Sequence, residues 1–206
     1  MTAVQKYLPY LSTLAAVAFA YIPISGLYRI AFVYESTETR TAGRFLHTAC
    51  AAYLWLFGFL AYGTPHKAFL VSAWIIAVAY TVFSLIFLIY MHDREKFVYW
   101  LMIYVCFLLF AFICPSSLFF YYACAFSVSG NLYFVKLLSY RLLEGKLHVI
   151  GLDTALGLNF FFLAHTLAGV AFRDYPVMIS GLCGMCWSLP LIPGVSLAKH
   201  RAQLIR

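Results

Sequence analysis

Four long runs, residues 7–28, 45–66, 68–92 and 175–198, contain no Asp, Glu, Lys or Arg. Each is long enough to cross a hydrocarbon core as an α-helix, which takes about 20 residues. A fifth uncharged run, 97–135, is too long for one crossing and divides at Cys114-Pro115-Ser116-Ser117, where proline and serine favour a turn. A further segment, 147–172, carries a single acid, Asp153, near its start. The pattern predicts an all-α polytopic membrane protein with seven transmembrane helices. Apolar residues lie on every face of these runs, which excludes the alternating strands of a membrane β-barrel. The first run is too long for the apolar core of a signal peptide, and a second run follows it closely, so it reads as a retained helix.

Composition agrees: of 206 residues, 65% are hydrophobic and 10% charged, too little polarity to cover a soluble domain of this size. The net charge of +7 points to topology, not to nucleic acid. When the connecting segments are assigned alternately to the two sides, the 29–44, 92–96 and 136–148 segments and the C-terminal tail hold 11 of the 14 Lys and Arg. Cytoplasmic loops collect such residues, so the expected orientation is N-terminus outside and C-terminus cytoplasmic; the expected location of this multi-pass protein is the plasma membrane, with an endomembrane the alternative. The six cysteines fall within helices or at their ends and read as free thiols. Cys183-Gly184-Met185-Cys186 matches CxxC but lies mid-span without further ligands, so no metal or redox cofactor is expected. HExxH, a Walker A loop and an intramembrane aspartate pair are absent. Lys199 follows the last span instead of sitting inside it, as a retinal Schiff base would require. The chain reads as a non-enzyme.

The segments have a two-part rhythm. Residues 1–92 form one three-helix repeat, 93–114 a linker helix, 115–198 a second three-helix repeat and 199–206 a cytoplasmic tail. Each repeat runs helix, basic loop, helix, short outer turn, helix. The outer turns are Gly63-Thr-Pro-His-Lys67 and Phe172-Arg-Asp-Tyr-Pro176, and a shift of 108 residues superposes Gly43 on Gly151 and Ser72 on Ser180. Two parallel repeats of this kind place a substrate between them near the midplane.

The ordered set of Pro23, Tyr28-Arg29-Ile30, Ser36-Thr37-Glu38, Trp55 with Gly58, the stretch LIFLIYMHDREK (85–96), Arg173-Asp-Tyr-Pro176 and Gly181 resembles the SWEET (MtN3/saliva) sugar transporters over nearly the whole chain. The resemblance implies facilitative sugar transport by rocking one repeat against the other. Of the four helix prolines that hinge the family, only Pro23 is present; the others fall at Arg44, Phe134 and Gly151, with Asn131 near the helix 5 position. The family's two sugar-contacting asparagines fall at Ala73 and Ser180, and its partner positions on the second and sixth helices near Leu54 and at His165.

A sugar needs hydrogen-bonding groups and aromatic faces, so mid-span polar and aromatic residues are the candidates. Asn159 and His165 lie six residues apart, diverging by roughly 120° on a helix, so both cannot point straight into one narrow pocket. Helix–helix hydrogen bonding is the competing role for Asn159. Trp55 and Trp74 are candidate stacking platforms, with packing or interfacial anchoring the competing role. His47, near the start of the second helix, is expected at the interface. The expected substrate site thus comprises Leu54 or Trp55, Ala73, Trp74, Asn159, His165 and Ser180, and the expected hinges are Pro23, Arg44, Asn131, Phe134 and Gly151. The absence of a clear mid-membrane carboxylate implies uncoupled transport. The expected partners are a small-molecule sugar and the lipid bilayer, with no nucleic acid; a homo-oligomer is compatible with this reading. A SWEET-like scaffold that carries another solute, or none, is the alternative.

Overall fold

Inside a bilayer no water is available to bond backbone N–H and C=O groups, so an apolar segment satisfies them within its own helix. The computed structural model describes the backbone of residues 3–33, 39–90, 94–143 and 152–204, with side chains over 5–21, 45–86, 98–99, 101–132, 152–197 and at 200. The elements are α1 (Ala3–Val33), α2 (Thr39–Tyr62), α3 (Lys67–Tyr90), α4 (Arg94–Ala111), α5 (Ser116–Leu143), α6 (Leu152–Phe172), α7 (Tyr175–Ser188) and α8 (Leu191–Leu204). They form seven membrane helices, the seventh being α7 and α8 in succession. Among the described residues, Phe45–Tyr62, Lys67–Ile86, Leu152–Phe172 and Tyr175–Leu197 are each long and apolar enough to cross a membrane.

Within each triplet the third helix lies between the other two: α3 packs on both α1 and α2, and α7 on both α5 and α6. Between triplets, α1 packs on α6 and α2 on α5. A two-fold axis exchanging α1 with α5 and α2 with α6 maps one of these contacts onto the other, as parallel repeats require. The linker α4 packs along α2. The architecture is therefore three helices, a linker and three helices. At the second repeat's centre, α6 and α7 approach closely: a Cβ on Gly184 would overlap the Phe162 ring, and one on Gly181 would lie 2.8 Å from the Thr166 backbone nitrogen. Small residues permit such contacts in membranes. Gly184 sits inside the Cys183–Cys186 stretch, whose two cysteines are free thiols.

The turns α2–α3 and α6–α7 are built alike and mark one end of the bundle, the turn end. Gly63 (φ 95°) ends α2, and Arg173 (φ 55°) ends α6; a left-handed residue at this point closes a helix C-terminus. A side chain then caps the next helix. His66 Nδ1 accepts from the Ala68 N–H at 3.1 Å, and Asp174 Oδ1 accepts from the Val177 N–H at 3.2 Å. Between α4 and α5, i→i+3 bonds from Phe112, Ile113 and Cys114 lead into Pro115, which separates the two helices where the sequence predicts.

Two features differ from the sequence pattern. The uncharged run 175–198 predicts one helix, but α7 ends at Ser188 and α8 begins at Leu191. Leu189 still donates to the Met185 carbonyl at 3.0 Å; Pro190 has no N–H to continue the ladder. Also, α8 runs on to Leu204, so helix continues into the stretch expected as a tail. Its residues there, LAKHRAQL, include several strong helix formers. The side chains of Pro23, Arg44 and Phe134, and Gly151 altogether, lie outside the described residues.

Asp174 yields a test of the turn end. Burial raises its carboxyl above the ordinary range, partly offset by the Val177 N–H. The native state therefore holds this proton more tightly than the unfolded chain. The group's contribution to stability is fullest below the unfolded pKa and falls as pH rises through the folded one. Asp174→Asn keeps a capping oxygen and should flatten the decline in melting temperature as pH rises above about 4, whereas Asp174→Ala should cost about 1 kcal/mol at low pH and less as pH rises. Melting curves of the purified protein in detergent check both; an unchanged pH slope in the Asn variant would contradict the assignment.

Candidate functional site

Between the repeats lies a cavity of about 120 Å³. One water needs roughly 10–15 Å³ by the same measure, so the space suits several waters or one small organic solute. All of α1, α2, α3, α5, α6 and α7 contribute to its wall. Phe19 of α1 stacks on Phe161 of α6 with ring centroids 4.2 Å apart and planes 14° from parallel. Tyr80 continues the stack behind Phe19 at 5.2 Å, and His165 lies over the other side of Phe161 at 4.1 Å. Tyr80 also donates its hydroxyl to the Phe19 carbonyl at 3.2 Å, which holds α3 against α1. The α2–α5 side is joined differently: the Trp55 indole N–H donates to Ser127 Oγ at 3.0 Å.

Of the residues singled out from sequence, Trp55, Ala73, Asn131, His165 and Ser180 share this wall. His165 Nδ1 lies 2.9 Å from the Phe161 carbonyl. A carbonyl only accepts, so Nδ1 carries the proton and Nε2, at the opposite edge of the ring, holds the lone pair. Three others point elsewhere. Leu54 is fully buried and packs with Cys50, Ala111, Phe119, Ala123 and Phe126, against α4 and α5. Trp74 is 57% exposed on the outer surface of α3. Both are neighbours of wall residues, and one helical step of about 100° turns them away. Asn159 donates to the Ala155 and Ser188 carbonyls, both at 2.8 Å, and accepts from Ser188 Oγ at 3.1 Å. It ties α6 to the end of α7, where Pro190 interrupts the helix.

His47 also belongs to the wall instead of the interface. Its Nε2 donates to the Phe126 carbonyl at 2.9 Å, and its Nδ1 lies 3.3 Å from the Tyr104 hydroxyl. It stacks on Phe126 at 4.3 Å and lies so close to Gly130 that a Cβ there would come within 2.6 Å of the ring. The signal was present in the sequence, an imidazole inside the uncharged run 45–66, but its partners on α4 and α5 are distant in the chain. Phe19 and Phe161 carried no such signal, being two phenylalanines among 20.

At the turn end the repeats are in contact. Gln5 Nε2 donates to the Ala171 carbonyl at 3.1 Å. Phe69 meets Phe172 edge-on at 5.6 Å, and Phe120 lies within 6.3 Å of Trp55, Phe59 and Tyr62. An aromatic layer thus closes the cavity on this side.

No protein-family model matches the chain, and no curated protein matches it by sequence. Among solved structures, the chain is similar to a eukaryotic SWEET transporter determined at 3.7 Å, with a TM-score of 0.77 over 95% of this chain and 97% of that one. At 13% sequence identity the likeness is one of fold.

Proposed function

We propose that the protein is a facilitative, uncoupled carrier that moves a small neutral solute across the membrane by rocking one three-helix repeat against the other. The observation that carries this reading is the cavity's place, between the repeats and sealed by an aromatic layer at the turn end. The fold it shares with a SWEET transporter supports the same mechanism. The described wall holds two imidazoles and no carboxylate, in keeping with transport that follows the solute gradient. Sugar is the solute class that the residue resemblance supports. A second reading, a carrier of another solute or a scaffold that carries none, is favoured by Ala73 and Ser180 standing where the resemblance expects asparagines. By the charge distribution, the turn end faces outside and the tail lies in the cytoplasm, with the plasma membrane the proposed location.

Topology is tested by a cysteine placed at Glu38. It should resist a membrane-impermeant thiol reagent applied to sealed cells and react after permeabilisation; external labelling would reverse the orientation.

Transport is tested by purified protein in vesicles offered labelled glucose, sucrose and a panel of other small neutral solutes. At least one should equilibrate without accumulating and be indifferent to imposed pH or sodium gradients. Movement of none would overturn the carrier, and proton-driven accumulation would overturn the uncoupled mechanism. For a solute that moves, His165→Ala should lower the rate roughly three- to tenfold, the worth of one hydrogen bond, and Asn159→Ala should lower it less.

A further inference from the structure

The cavity's polarity is divided between the repeats. On the first repeat's side, the described residues of α1 and α3 in the wall are Phe19, Phe69, Ala73 and Ile76. The polar side chains of α2 are already engaged: His47 through both nitrogens, Trp55 with Ser127, and Thr48 with a partner of its own. On the second repeat's side, three groups keep bonding capacity among the described residues. His165 Nε2 is an acceptor without a protein partner, the Ser180 hydroxyl has none, and the Asn131 side chain hydrogen-bonds Cys183 with amide capacity left over. One flank of the cavity is hydrocarbon and aromatic faces; the other reads hydrogen bonds.

A hexose carries hydroxyls around its whole ring. Seated here, those facing α1 and α3 would be stripped of water with nothing in exchange, and each unmade bond is costly. We infer that the solute is a small, planar, neutral heterocycle with one bare carbon edge, of the lactam or cyclic-imide type that a pyrimidine base exemplifies. Its flat face meets the edges of Phe19 and Phe161, whose own faces are covered by one another, by Tyr80 and by His165, in the edge-to-face geometry that aromatic rings favour. An N–H on its polar edge donates to His165 Nε2, and its carbonyls accept from Ser180 and the Asn131 amide. Its carbon edge lies toward Ala73 and Ile76. This assignment rests on the carrier reading and replaces the sugar as its solute.

The test uses the full chain in vesicles with labelled uracil and labelled glucose side by side, corrected for protein-free vesicles. Protein-mediated uracil flux should exceed glucose flux at least tenfold. Ser180→Ala and His165→Ala should each lower it roughly three- to tenfold, while Trp74→Phe, on the outer surface, leaves it unchanged. Ala73→Asn places an amide on the apolar flank and should reduce the preference for uracil over glucose. Thermal shift in detergent gives an independent reading: uracil, not glucose, should raise the melting temperature of the unmodified protein. Glucose moving as fast as or faster than uracil would overturn this assignment while leaving the carrier intact. No protein-mediated flux of either, without a shift by uracil, would overturn it too; the carrier would then stand or fall on the wider solute panel.

Discussion

The two repeats meet chiefly through stacked and edge-on rings. The contact of Phe19 with Phe161 is at once the α1–α6 joint and part of the cavity wall, so on the proposed carrier reading solute binding and repeat packing depend on the same surfaces. Within lipid there is no hydrophobic drive to bring helices together, and an aromatic pair contributes only about 0.5–1.5 kcal/mol beyond its burial. Such a joint is weak, non-polar and tolerant of sliding. A carrier that must break and remake its central interface on every cycle requires those qualities. The directional bonds lie mostly inside a repeat, as between Tyr80 and Phe19 or Asn159 and Ser188, where rigidity serves. The Trp55–Ser127 bond crosses between repeats on the α2–α5 side, together with the bond from His47 to the Phe126 carbonyl. These are among the polar contacts that a rocking motion through that side would have to strain.

Much of the fold was legible because a bilayer imposes one rule on every segment: an uncharged stretch must be long and helical. The end of the 45–66 run, the start of the 68–92 run and the end of the 147–172 segment fall within a few residues of the helix boundaries at Tyr62, Lys67 and Phe172, and Pro115 separated two helices where its chemistry demands. The interruption at Pro190 escaped because charge alone defined that run. Proline acts through its missing N–H, and hydropathy is blind to that. The parallel repeat was visible only as rhythm, since its equivalence lies in which helices touch; α3 and α7 occupy matching central places with little sequence in common.

The site was less legible, for a geometric reason. Adjacent residues on a helix point about 100° apart, so a uniformly apolar segment does not reveal which of two neighbours faces inward. Trp55 lines the cavity and Leu54 does not; Ala73 does and Trp74 does not. The roughly 120° separation of Asn159 and His165 was a sounder guide, and the structure gives them different surroundings. His47 and Ser127 depend on partners from other helices, which no local pattern discloses.

The central claim is that transport requires the repeats to part at the turn end, where Gln5 of α1 reaches the Ala171 carbonyl of α6. Cysteines at Gln5 and Ala171, in a background without the exposed Cys106 and Cys186, allow a short bis-methanethiosulfonate to bridge them reversibly. Solute flux into vesicles should fall to the protein-free level when the bridge forms and return on reduction, with each single-cysteine variant unaffected by the reagent. Undiminished flux through fully bridged protein would contradict the account.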